Sequence, residues 1–561
     1  MRTFFRIGLL LLGLVAGCGG SSGTAQTSPG ANSSFGLSSD AEAYTVDTGA
    51  GLVFKVRRHN SDGSSKRLGD ISSLVYKGVD YQDGSKGSQI NSGFDYLYTG
   101  TSAVSVDAAL VDPDHIKITV KAGDLTHYYL AQRGEAKVYM ATYFTTEPDT
   151  LGLARFIVRV PIGLLPRGPA ASDLRGNSGA IEAQDIFGMP NGETRSKHYS
   201  NMRLKDWAYI GATGPQVGVW IVRDNNEGNS GGPFYRSLLN QGTNTDQEIT
   251  YIINYGEAQT ESFRTGVLNS YTLVFNDGST PERVGTDWFA SMGLSGYVAP
   301  NARGSAASVG ISGRDPHYRY TVGFSNASAQ YWTDADAADG HFLSTGMLPG
   351  TYTMRVYKNE LAVDTRSVLV EAARTTSVGT VVITNDPSTT AAIWRIGDWD
   401  GTPCEFLNGD KVTTMHPSDV RMQPWQTADY VVGTSTPVTG FPAYQWKDVN
   451  GAITVRFKLS ASQVADMTLR LGITTAFAGG RPVVKLNQWA GPIPSPSTQP
   501  STRTLTIGSY RGNNMTFSVA IPASAFVAGD NVLTLSVASG TSGTEYLSPG
   551  VAYDAIDLVR Y

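Results

Sequence analysis

The chain has 561 residues, enough for several domains, with 40% hydrophobic residues and a formal net charge of −5. That balance supplies no global basic field, so nucleic acid is not an expected partner, and any anionic substrate must be met by a local cluster of Arg and Lys. Only two cysteines occur, Cys18 and Cys404; only Cys404 remains after Cys18, so no intramolecular disulfide is expected and stability must come from apolar cores.

The chain opens with Arg2 and Arg6 and an apolar run over 7–16, ending Leu14-Val15-Ala16-Gly17-Cys18. The run is shorter than the ~20 residues needed to cross a bilayer. Its layout suits a lipoprotein signal over 1–17, with Cys18 as the lipidated residue. Residues 18–35, rich in Gly and Ser, then read as a flexible tether. The expectation is export, with a membrane met only through the lipid, on the outer membrane or cell surface, or else release as a secreted protein.

From there strand signals dominate. GLVFKV (51–56), ISSLVY (71–76), IKITVKA (116–122), HYYLAQ (127–132), KVYMATYF (137–144), ARFIVRV (154–160), VGVWIV (217–222) and ITYIINY (249–255) are short, β-branched and aromatic, with Gly, Asp, Asn and Ser between them. No long segment has helical periodicity. A composition shift near 294 opens a second block of short strands, including YTMRVYK and TSVGTVVIT, whose size suits a small β-sandwich. A third block follows NDPSTTAA. Its strands TVRFKLS, MTLRLGI, TFSVAI and NVLTLSV alternate in polarity, as a two-layer sandwich requires. The reading is an all-β protein with domains at 36–293, 294–385 and 386–561, expected to be a monomer.

Several strings resemble polysaccharide lyase family 4, the rhamnogalacturonan endolyases. In the first block these are ISSLVYKGVDYQDGSKGS (71–88), GETRSKHYS (192–200), GNSGGPFYR (228–236) and AQTESFRTG (258–266). LPGTYTMRVYKNEL (348–361) is similar to the family's middle domain. WRIGDWDGTPCEFLNGDKVTTMHPSDVRM (394–422) and ITTAFAGGRPVVKLNQW (473–489) are similar to its last. The resemblance runs through residues 36–561 in the family's order. It implies a β-supersandwich of the galactose-mutarotase type, then a fibronectin-III-like β-sandwich, then a jelly-roll β-sandwich of carbohydrate-binding kind.

It also implies a reaction: β-elimination at galacturonate in the pectic polysaccharide rhamnogalacturonan I, leaving a 4,5-unsaturated uronate. The uronate carboxylate must be neutralised, since C5 is weakly acidic and the intermediate carries extra negative charge. A base must take the C5 proton, and an acid should assist the departing sugar. C5–H and C4–O are both axial on opposite ring faces, so base and acid come from different sides.

Lys197 matches the family's catalytic lysine, and a lysine crowded by Arg195 and partly desolvated is chemically suited to proton abstraction. Arg155 matches an arginine of the family site and could clamp the carboxylate with two parallel hydrogen bonds. Arg159 lies on the same strand face, so position alone does not choose between them. The family reads Gly-His-x-Gln-Thr-Glu where this chain has Gly256-Glu257-Ala258-Gln259-Thr260-Glu261. Glu257 therefore stands as the second catalytic candidate, able to donate a proton if burial keeps it protonated. Arg195, Tyr199, Tyr255, Gln259 and Glu261 are candidates to line sugar subsites, and Tyr255 could also donate a proton.

His127 and His198 are the histidines near these motifs. An extended segment would turn His198 away from Lys197. No cofactor is expected. Asp398 and Asp400 could hold a calcium ion, though nothing else in the sequence supports one. The competing readings are a non-catalytic, surface-anchored pectin-binding lipoprotein, which the Glu257 departure favours, and a lyase for another uronate polymer.

Overall fold

A computed structural model describes residues 34–98, 103–149, 153–255, 262–499 and 514–560, and for Tyr255 only the backbone. Strands make up almost all of the regular structure. Among the described residues the only α-helix is the single turn Pro437–Gly440. Among those residues no helix is long and apolar enough to cross a membrane.

The first domain is built from three large antiparallel sheets around one apolar core. A five-stranded sheet holds Gly36–Ser39 to Val79–Asp80 in chain order. Its third strand, Leu52–Arg57, shows the two-residue period directly: Leu52, Phe54 and Val56 are fully buried, and the residues between them are half-exposed. A seven-stranded sheet places Leu268–Asn276 next to Lys137–Phe144 and Val217–Arg223. Leu268–Asn276 is buried along nearly its whole length, because the sheet is covered on both faces. One face joins the main core with Tyr271 and Leu273. The other packs Leu268 and Val274 against Val284, Phe289, Met292 and Leu294.

The third sheet bears on function. Its strands are β1 (Gln89–Ile90), β2 (Leu153–Pro161), β6 (Asn240–Gly242) and β7 (Asp246–Tyr255), in the spatial order β6-β7-β2-β1. Between β2 and β6 the chain makes a separate small sheet of β3 (Gly179–Glu182), β4 (Ile186–Gly188) and β5 (Thr194–Ser196).

The second domain is a two-layer sandwich, one sheet of three strands and one of four, covering residues 304–382. The third domain pairs two five-stranded sheets between Ala392 and Arg560. Ile453–Leu459 alternates there as its sequence requires. Met467–Phe477 alternates only in its first half, and Gly550–Arg560 is buried at all but its last residue. Asp557 explains part of that burial: its carboxylate collects Arg395, Arg470 and the indole N–H of Trp399, so both strand faces are covered.

Candidate active site

The segment that carries Lys197 is shaped by local backbone chemistry. Ala183 and Gln184 both have positive φ, 51° and 57°, and Asp185 N–H donates to Glu182 C=O at 3.0 Å. This is a tight two-residue hairpin turn made without the Gly or Asn that usually relieve it, so it persists only if its surroundings hold it. The chain then forms β4, turns at Gly192 (φ 83°) and returns as β5.

At Ser196 the extended run stops. The Ser196 hydroxyl accepts from His198 N–H at 3.1 Å and caps a 3₁₀ turn over Lys197–Ser200. Ser200 closes that turn by donating to Lys197 C=O (2.8 Å) and accepts from Asn240 N–H of β6 (3.1 Å). The lysine is thereby fixed against the edge of the four-stranded sheet.

This turn corrects two sequence expectations. His198 does not point away from Lys197, because the segment coils where an extended strand was expected. Lys197 Nζ lies 2.5 Å from Asp185 Oδ1, and His198 Nε2 lies 3.9 Å from Asp185 Oδ2. Hydrogen bonding from His198, then from Lys197, holds the Asp185 carboxyl well below the usual carboxylate range against its partial burial. Nor is Arg195 the charge in contact with Lys197. Its guanidinium pairs with Glu193 at 2.7 Å and bonds Thr194 C=O at 3.0 Å. The partner of the lysine is a carboxylate.

Two further candidates separate on β2. Arg159 donates to Glu248 (3.0 Å) and to Gly87 C=O (2.9 Å) and is 9% exposed, so it is committed to the sheet. Arg155 stays half-buried beside a bulge in the β2–β7 pairing, a device that re-aims side chains. Asn91 grips its backbone through both N–H and C=O. Arg155 thus lies on β2, while the turn that carries Lys197 is tied through Ser200 to β6, the edge strand of the same sheet.

Tyr199 is 4% exposed and makes a hydrogen bond with Thr194. It packs under the lysine turn and does not present its ring to a sugar. His127 is fully buried, stacked on Phe156 and bonded to Thr142. Burial pushes its pKa down to about 3, so it is a neutral core residue. Tyr255 ends β7 opposite Leu153. Glu257, Gln259 and Glu261 follow it and, like Cys18, lie outside the described residues.

Asp400 accepts from Asn359 and Thr402, while Asp398 N–H donates to Glu405. Among the described residues three metal-ligating side chains converge only at Asp336, Asp339 and His341, all exposed.

Sequence reasoning missed Asp185, and also Glu182 and the strand edge at Thr194 with their partners in the third domain. Glu182 Oε2 lies 3.0 Å from His416 Nε2, and Asp419 Oδ2 accepts from both Thr194 N–H (2.6 Å) and Thr194 Oγ1 (2.9 Å). The string MHPSDVRM was visible, but only as a mark of the third domain.

Three β-domains in series, the first carrying a lysine–carboxylate pair and meeting the third at Glu182 and Thr194, make a modular all-β protein. Family models match the whole of this frame: rhamnogalacturonan lyase B, N-terminal, over 35–296; polysaccharide lyase family 4, domain II, over 295–378; and domain III of that family over 392–558. The chain is 40% identical over 535 residues to rhamnogalacturonate lyase A of Emericella nidulans, covering 94% of this chain and 97% of that protein. It is 37% identical to rhamnogalacturonate lyase A of Aspergillus aculeatus, with the same coverage. The chain belongs to polysaccharide lyase family 4.

Proposed function

We propose that this enzyme cleaves the rhamnosyl–galacturonate bonds of the rhamnogalacturonan I backbone by β-elimination, leaving a 4,5-unsaturated galacturonate end. The observation that carries this is the 40% identity to a rhamnogalacturonate lyase across 94% of the chain, all three domains included.

In this reading Arg155 binds the uronate carboxylate and Lys197 removes the C5 proton. The free amine is the active form, and Asp185 both aims it and favours its charged form. Covering the half-exposed pair with substrate removes water from around it and changes that balance. Glu257, replacing the family histidine, donates the proton to the leaving rhamnose oxygen. His198 is not well placed for that step: it shares one carboxylate with Lys197 and so approaches from the base's side, whereas anti elimination needs the acid opposite.

The test is ultraviolet absorbance of unsaturated uronate with rhamnogalacturonan I, run beside homogalacturonan. The expected result is strong signal from the first and little from the second. Equal rates would overturn the substrate assignment and leave the reaction class. Export as a lipoprotein through Cys18 is part of the proposal. Acyl labelling of the parent and not of Cys18→Ala is the expected result.

A further inference from the structure

The sheet of β3, β4 and β5 is too small to hold its own shape. Its strands have three or four residues, and such short pairs are marginal without packing. Gly179, Ala180 and Ile181 are exposed, Ile181 at 48%. Of its apolar side chains only Ile186 is fully buried. Yet this sheet sets both members of the Lys197–Asp185 pair, through a hairpin turn that strains Ala183 and Gln184.

Part of what holds it is the loop 416–421 of the third domain. Asp419 takes both donors of Thr194, and its carboxylate is wholly shielded from solvent while Arg421 grips it at 2.7 Å. His416 N–H donates to Thr194 Oγ1 at 3.0 Å, and its ring reaches Glu182 at 3.0 Å with Ser418 on the other nitrogen. Val420 N–H donates to Gly192 C=O at 3.2 Å, where a Cβ on Gly192 would stand 2.4 Å from Val420 Cγ1. The spacing is telling. Glu182 lies three residues before Asp185, and Thr194 three before Lys197, so each half of the pair has a clamp point at the same distance upstream.

We propose that His416 and Asp419 are positioning residues of the reaction, through which the third domain fixes Asp185 and Lys197 in working geometry. The proposal rests on the reading of Lys197 as the base. It gives the third domain a part in turnover separate from any sugar binding.

Displacing a catalytic group by about 1 Å can cost about 100-fold in rate. Full-length Thr194→Val keeps the side-chain shape and removes the hydroxyl bonds to Asp419 and His416; Asp419→Ala removes the acceptor; Asp419→Asn keeps an acceptor oxygen. Steady-state kinetics on rhamnogalacturonan I, pH profiles and melting curves are measured for each, with Lys197→Ala in parallel. The expected result is a kcat lowered about 10–100-fold in Thr194→Val and Asp419→Ala, KM within about threefold, a displaced acid limb and partial recovery in Asp419→Asn. Parental kcat in a folded Thr194→Val or Asp419→Ala, with Lys197→Ala inactive, overturns the positioning role alone. So does a loss that only tracks the unfolded fraction. Turnover by Lys197→Ala at the parental rate instead removes the base that the clamp serves.

Discussion

In the proposed reaction Lys197 is the base, and its partner Asp185 decides how that role can be tested. Lys197→Ala should abolish elimination while the protein stays folded, since the side chain is part-exposed and carries no core contact. Lys197→Arg should fail as well, because a guanidinium does not give up its proton in proteins. Asp185 is held well below the usual carboxylate range, so it remains ionised wherever the enzyme works. Asp185→Asn removes that negative charge from beside the amine. The acid limb of kcat/KM should then move to lower pH, at the cost of a lower maximum from looser aim. An unmoved limb would mean that Lys197 is not the titrating base. For Glu257 the argument is chemical. A donor must be protonated, so Glu257→Gln should flatten the alkaline limb and cost roughly 10²–10⁴ in rate. Glu257→His should keep or raise activity. Lys197 stood out as a candidate because it sits in the string GETRSKHYS, and Arg155 because it matches an arginine of the family site. Asp185 did not, because nothing in Gly-Ala-Ile-Glu-Ala-Gln-Asp announces a hairpin turn that lacks Gly and Asn.

At the level of elements, the loop after the first strand of the third domain offers a pH test. Burial pushes the Glu405 carboxyl up to about 9, helped by Asp400 and Asp554 and opposed by the Asp398 N–H it accepts. A carboxyl raised on folding contributes stability that is complete below its unfolded value, near 4.3, and is lost as pH rises through about 9. Glu405→Gln should therefore leave denaturant midpoints unchanged at pH 4 and raise them, relative to the parent, at pH 8.5. The same midpoint difference at both values would show that Glu405 does not titrate in this window. Strand assignment was the most legible layer: the alternation of Leu52, Phe54 and Val56 or of Ile453–Leu459 is printed in the residues. It faded at Leu268–Asn276 and Gly550–Arg560, which other segments cover on both faces and which therefore lose the two-residue period.

Across the whole molecule the domains are joined unequally. The second domain's core includes Trp399 and Ala555 of the third, which otherwise keeps a core of its own, so these two residues join the two interiors. Trp399 is 1% exposed, with its N–H on Asp557 and the Arg470 guanidinium over its ring. Trp399→Ala should cost about 3–5 kcal/mol and lower the calorimetric transitions of both domains together. A shift confined to the third would show that the cores are separate. The first domain meets the others through polar contacts, Arg203 with Glu360 at 3.1 Å, Lys205 with Asp334 at 3.3 Å, Arg303 with Glu227 and the His416–Asp419 clamp, and through Trp332 against its core and Phe234 on Tyr357.

The sequence by itself determined the all-β class, the order of the three domains and the residues that mark the family, because strand periodicity and contiguous motifs are local properties of the chain. Tertiary structure alone decided which charges meet. It gave Lys197 a carboxylate partner in place of Arg195, committed Arg159 to Glu248 and buried Tyr199. It also brought His416 and Asp419 more than two hundred residues along the chain to the hairpin of Asp185. The reason is physical: an ion pair is set by distance in space and by what shields it from water, and neither is written in the spacing of residues along a strand.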